Sequence, residues 1–258
     1  VYQESLRDHK KKVVTDDGSV TLFSTKFGET YHSTQGGALH ESLEKHVLPL
    51  FGFKPDRQKL TILDICFGLG YNTLATLYHV AKENLSTKIH IISPEFDQKL
   101  IVSLFEFDYP AEFEPFKPII DQLSKTFFYE DEQFKIEILI GDARQILPAI
   151  TTKFDAVYQD AFSPKHNPLL WTREYFAQIR SLLADDALLT TYSTAASVRL
   201  ALHENGFHLF LLSNDMMRDS LIASLAMLEI EPVDMELKIQ RNPSARSLRD
   251  ASFCEVRR

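Results

Sequence analysis

Apolar positions recur along the chain at two spacings. Short unbroken apolar runs, each closed by glycine, proline or an acid, mark buried strands; apolar side chains three and four apart mark helices that pack on them. The apolar run starting at Leu60 carries an acid, Asp64, near its end. It then passes through Cys66-Phe67-Gly68-Leu69-Gly70 into a helical pattern over residues 73–82. Further strands are predicted over 88–93, 134–140, 154–159, 187–192, 207–212 and 221–228, with helices over 144–150, 172–183 and 195–205. Such alternation predicts an α/β domain over 60–230, a mostly parallel seven-stranded sheet with helices on both faces. Residues 98–134 read as helix, loop and helix on the surface. Asp185-Asp186 reads as a turn, and 213–220 as a loop joining the last two strands.

Ahead of this lies an extension, 1–59. Asp17-Gly18 is a turn signal. Residues 19–23 and 29–33 read as a hairpin with its loop at 26–28. A helix over 38–50 follows, with Leu39, Leu43, Val47 and Leu50 on one face. The tail, 231–258, is basic and shows little periodicity.

Composition narrows the class. A hydrophobic share of 44% and a charged share of 25% are those of a globular protein. No apolar run nears the ~20 residues that span a bilayer, no signal peptide is visible, and the cytoplasm is the expected setting. The two cysteines, Cys66 and Cys254, have no metal spacing, so no metal is expected. The net charge of −8 argues against a generic nucleic-acid binder. However, the ends are basic: Lys10, Lys11 and Lys12 in front, then Lys238, Arg241, Arg246, Arg249, Arg257 and Arg258 behind. Such a face can track a phosphate backbone or be merely solvated.

Candidate chemistry sits where the strands end. Gly68 and Gly70 lack Cβ, so a ligand can approach the turn, and the next helix presents free N–H groups. The three-glycine dinucleotide fingerprint is not met, since Thr73 fills its third position. Glu95, at the tip of the second strand, is placed for two ribose hydroxyls or is a plain strand-end acid. Asp142 suits an adenine amine, a helix N-cap, or both. After the fourth strand, Asp160-Ala161-Phe162-Ser163-Pro164 runs on to Asn167-Pro168 and Trp171. Prolines stiffen this loop, and such loops carry catalytic side chains in open α/β sheets. Trp171 is a site aromatic or a core anchor.

The order of glycine turn, acid, Gly141-Asp142 and acidic loop resembles Rossmann-like class I S-adenosylmethionine-dependent methyltransferases. The Asp160–Pro164 loop with Trp171-Thr172, the run Thr191-Tyr192-Ser193-Thr194-Ala195 with Val198-Arg199, and Gly28-Glu29-Thr30-Tyr31-His32-Ser33 are similar to one group within them. That group is the methyltransferase domain of the bifunctional enzyme completing 5-methylaminomethyl-2-thiouridine at the tRNA wobble position. The resemblance implies S-adenosyl-L-methionine as cofactor, held by Gly68, Gly70, Asn72, Glu95, Asp142 and Ala161. It implies Asp160 as the catalytic group. It also implies tRNA, at its anticodon stem-loop, as the partner. Tyr31, Phe162 and Trp171 would stack on the base, with His32 and Asn167 also binding substrate; Lys165, Arg173, Arg199 and Arg218 would meet phosphate. The flavin-dependent oxidase half of that enzyme is expected to be absent from a chain of this length. Two alternatives stand: a polyamine aminopropyltransferase, which shares a front hairpin and a Tyr-His segment, and a non-catalytic RNA-binding relative, favoured by Cys66 in the glycine turn.

Overall fold

The computed structural model describes residues 10–214 and 217–257. Its centre is an eight-stranded sheet. The strands are β4 (Lys59–Ile65), β5 (Lys88–Glu95), β6 (Phe128–Glu130), β7 (Phe134–Ile140), β8 (Phe154–Gln159), β9 (Leu183–Thr191), β10 (His208–Asn214) and β11 (Met217–Ser224). Their order is β10-β11-β9-β8-β4-β5-β7-β6. The pairs among β7, β5, β4, β8 and β9 are parallel, and β6, β11 and β10 run antiparallel at the edges. Being central, β4 is covered on both faces. Every residue from Leu60 to Ile65 is buried, which is why this strand reads as a continuous run rather than an alternation.

Several sequence expectations are corrected. The sheet has eight strands rather than seven, because β6 pairs antiparallel with β7. It is three residues long and half-exposed, too short to show a period. Asp185-Asp186 is not a free turn. Phe154 pairs with Leu183 and Ala156 with Leu188, so the acidic pair bulges out of β9. There Asp186 meets Lys54 at 2.9 Å and also Arg57. Most of the loop expected at 213–220 continues the β10–β11 ladder. The segment 98–134 is not merely superficial: Leu100, Ile101, Phe113, Ile120 and Leu123 join the main core.

The front extension forms its own sheet of β1 (Lys10–Val14), β2 (Val20–Ser24) and β3 (Glu29–Thr30). Asp17 fastens its turn by accepting from Ser19 N–H and the Thr15 hydroxyl, at 2.9 and 2.7 Å. Bonds that tie this sheet to the main body include Lys10 to Asp97 at 2.5 Å, Lys12 to Asp108 at 2.5 Å, and the Tyr71 hydroxyl to the Val20 carbonyl at 2.8 Å. The single helix expected over 38–50 is instead a short α-helix (Ala38–Ser42), a π-helical turn (Leu43–Val47) and a second α-helix (Leu48–Phe53). The wider turn brings Lys45, His46 and Val47 inward together.

The tail is docked. A bridge joins Thr172 to Leu248, and Asp250 takes the Thr172 hydroxyl at 2.7 Å and the Arg144 guanidinium. Among the described residues no helix is long and apolar enough to cross a membrane, and no cluster of side chains suits a metal.

Candidate active site

The carboxyl ends of β4, β5, β7 and β8 open into a cleft of about 1880 Å³. The front sheet and the π-helical turn form its other wall. Gly68, Glu95, Asp142, Asp160, Ala161, Asn72, Tyr31, His32, Phe162 and Asn167 all line it. Gly70 does not, but shapes the turn beneath. It sits at φ +76°, and a Cβ there would lie 2.8 Å from the Phe67 ring. Gly68 has φ +56°, and a Cβ there would press on Tyr31 at 3.2 Å. Both positions therefore need glycine for backbone reasons as well as for ligand access. Cys66 also has positive φ, +66°. Burial and the surrounding carboxylates, Glu95 first, push its thiol well up, so it lines the cleft as a neutral group.

Among the acids that line the cleft, three stand at or just past strand ends, and each has a distinct setting. Glu95 is 7% exposed. Its two oxygens accept from Gly68 N–H at 2.8 Å and Asp97 N–H at 2.7 Å. Burial raises its carboxyl above the ordinary value, against the pull of those amides. Asp142 caps the short helix Ala143–Ile146, accepting from Arg144 N–H at 2.9 Å. Asp160 accepts from the Asn72 amide at 2.9 Å. Burial pushes its carboxyl up, but His46, His32 and Asn72 together outweigh that and hold it below the usual range.

Behind Asp160 lies a polar chain that sequence reasoning missed. Asp64, 1% exposed, accepts from the Thr73 hydroxyl at 2.8 Å, with the Asn72 amide at 3.5 Å. Burial pushes its carboxyl to about 7. His46, wholly buried, has Nδ1 2.7 Å from the Thr190 hydroxyl and Nε2 3.7 Å from Asp160 Oδ1. Beside it Lys45 pairs with Glu41 at 2.6 Å, and Glu41 accepts from Ser33 N–H at 2.6 Å. The one available signal was polar residues inside a helical pattern, and that pattern hid the π turn.

The front hairpin closes over the acidic loop. Glu29 accepts from Ser163 N–H and Oγ at 2.9 and 2.5 Å. Phe27 stacks on Phe162 at 4.4 Å, and Tyr31 meets that ring edge-on at 5.0 Å. Several sequence-predicted contacts fall elsewhere. Trp171 is 0% exposed and does not line the cleft. Its indole N–H donates to the Phe162 carbonyl at 2.8 Å, so it anchors the loop and is not a platform for a base. Arg199 donates to the Thr194 carbonyl at 2.7 Å, and Arg173 lies 3.5 Å from Glu204. Lys165 is exposed, outside the cleft. Arg218 lies in β11, but its side chain is outside the described residues.

The donor set fits a nucleoside bearing a cationic end. The glycine turn, Glu95 and Asp142 suit a ribose and an adenine, and the buried Asn72 Oδ1 has no hydrogen-bond partner among the described residues. Comparisons agree. Residues 115–214 match the model of a family described as S-adenosyl-L-methionine-dependent methyltransferase. A Methanocaldococcus jannaschii protein, MJ0670, is 30% identical over 79% of this chain and 56% of its own. The tRNA 5-methylaminomethyl-2-thiouridine biosynthesis bifunctional protein MnmC of Azoarcus sp. is 31% identical over 74% of this chain and 32% of its own. The chain thus spans about half the length of the first and a third of the second. The crystal structure of MnmC2 from Aquifex aeolicus superposes with a TM-score of 0.83 at 32% identity, covering 94% of this chain and 79% of that one. The chain therefore belongs to the S-adenosyl-L-methionine-dependent methyltransferases of the MnmC2 family, and S-adenosyl-L-methionine is its cofactor.

Proposed function

We propose that this chain N-methylates 5-aminomethyl-2-thiouridine at the wobble position of tRNA, engaging the anticodon stem-loop in the cytoplasm. The observation that carries the reading is Asp160: an ionised carboxylate in the cleft, held low by His46, His32 and Asn72. The similarity to MnmC proteins supports the choice of acceptor. Gly68, Asn72, Glu95, Asp142 and Ala161 hold the cofactor, with Gly70 shaping the turn. When bound, it supplies an electrophilic methyl group on a sulfonium.

The acceptor is an amine that must shed a proton before its lone pair can attack. Asp160 accepts a hydrogen bond from it and aligns that lone pair. Tyr31 and Phe162 flank the approach, with His32 and Asn167 beside them. An extruded base can stack there as unpaired bases do on aromatic rings. Lys165 and the tail arginines that face solvent are the candidates for phosphate contact.

The test is methyl transfer from labelled S-adenosyl-L-methionine to bulk tRNA lacking this wobble methyl group. Putrescine with decarboxylated cofactor runs in parallel. Label in tRNA that disappears in Asp160→Ala supports the reading. Aminopropyl transfer to putrescine in its place would refute it.

A further inference from the structure

Asp160 is poorly suited to keep a proton, yet the acceptor amine has to lose one. We infer that His46 is a positioning residue for the transfer, taking up through Asp160 the proton that the amine releases. The inference rests on the reading of Asp160 as the group facing the amine.

His46 is wholly buried, and its Nε2 has no hydrogen-bond partner among the described residues. Buried polar atoms are nearly always satisfied, so an orphan beside a cleft points to a transient partner. The ring is held by Thr190 on β9, 2.7 Å from Nδ1. That contact leaves Nε2 aimed at Asp160 Oδ1, 3.7 Å away. The gap is longer than a hydrogen bond, and a shift of about 1 Å closes it. The π-helical turn Leu43–Val47 places His46 there; such turns often mark functional sites.

The other groups around the imidazole do not compete for this role. Tyr158, with its ring 5.3 Å away, shares its hydroxyl with Thr76 at 3.1 Å. Lys45 is committed to Glu41 at 2.6 Å. His32 has Nδ1 3.2 Å from Thr21 Oγ1. Asp64 is separated by Asn72, which donates to Asp160.

The proton balance is simple. An N–H bond of the amine breaks and leaves its electron pair on nitrogen. The proton passes to an Asp160 oxygen and on to Nε2, which restores the carboxylate and forms an imidazolium. The pair goes from one negative charge to none, which suits a buried site.

The test has two arms. In the first, the full chain with labelled histidine is studied by NMR at one fixed pH, and the His46 ring signal is assigned by its through-space contact with Thr190. In Asp160→Asn the His46 ring-nitrogen shifts are expected to move, since Nε2 then faces an amide in place of a carboxylate. Unmoved ring-nitrogen shifts overturn the coupling whatever the acceptor is, and this arm stands even if His46→Gln fails to fold. The second arm is tRNA methylation by His46→Gln. The expected result is kcat lower by about 10- to 100-fold, with KM for tRNA and Kd for S-adenosyl-L-methionine within about twofold. The pH profile of kcat is expected to differ between the wild type and His46→Gln. An unchanged kcat and pH profile overturns the inference. Ring-nitrogen shifts that respond to Asp160→Asn, in a wild-type chain that is inactive on tRNA, would refute the acceptor reading and leave the proton pair standing.

Discussion

The two walls of the cleft are built by different means. The sheet wall, from Gly68 through Glu95 and Asp142 to Asp160, is made of strand ends. Its geometry follows from backbone periodicity and a tight turn. The front wall, from Phe27 to His46, is made of side-chain contacts between segments far apart in sequence. Glu29 reaches Ser163, Phe27 stacks on Phe162, and His46 approaches Asp160. The first wall is suited to a cofactor common to many enzymes. The second decides what acceptor can enter, and its contacts can change without disturbing the sheet.

Substitutions should separate the walls. The largest expected effect is Asp160→Ala, with transfer reduced by about 10²- to 10⁴-fold while calorimetry shows S-adenosyl-L-methionine still binding. Glu95→Ala should do the reverse. Cofactor affinity is expected to fall by about 10- to 100-fold, the loss of charge-assisted bonds, with the tRNA Kd in direct binding little changed. A tRNA affinity that falls as far as cofactor affinity would erase the distinction between the walls. Glu29→Ala removes both bonds to Ser163 and should loosen the hairpin over the acidic loop. KM for tRNA is expected to rise by about 3- to 10-fold, a cost on the order of 1 kcal/mol, with cofactor affinity unchanged.

The smallest effect concerns stability. Burial raises the Asp64 carboxyl from 3.8 to about 7 in the folded chain. The stability this contributes is fully present below the ordinary carboxylate value and is lost as pH rises through about 7. Asp64→Asn, which cannot ionise, should therefore compare better with the wild type at pH ~8 than at pH ~5 in denaturant unfolding. A stability difference independent of pH would show that Asp64 does not titrate as its burial implies.

The sheet wall was legible because its causes are local. Apolar runs over 134–140 and 154–159 coincide with β7 and β8 as found. The tips of those strands carry the acids in order. The edge strand β6 and the bulge at Asp185-Asp186 escaped because short, polar stretches carry no period. The front wall was legible only in part. Its hairpin follows from Asp17-Gly18 and the Gly28 loop, but nothing local tells that Glu29 seeks Ser163. His46 was hidden because a 3.6-residue period cannot show a π turn. Trp171 misled for a related reason: an aromatic in an active-site loop has the same local sequence whether it faces the cleft or, as here, anchors the loop from beneath.

The central claim is that an ionised Asp160 in this cleft serves methylation of a tRNA amine. The most direct measurement follows label from S-adenosyl-L-methionine into tRNA lacking the wobble methyl group, with nucleoside analysis of the product. The expected result is label in 5-methylaminomethyl-2-thiouridine for the wild type and none for Asp160→Ala, with both proteins binding the cofactor. Label in another nucleoside, or undiminished label with Asp160→Ala, would contradict it.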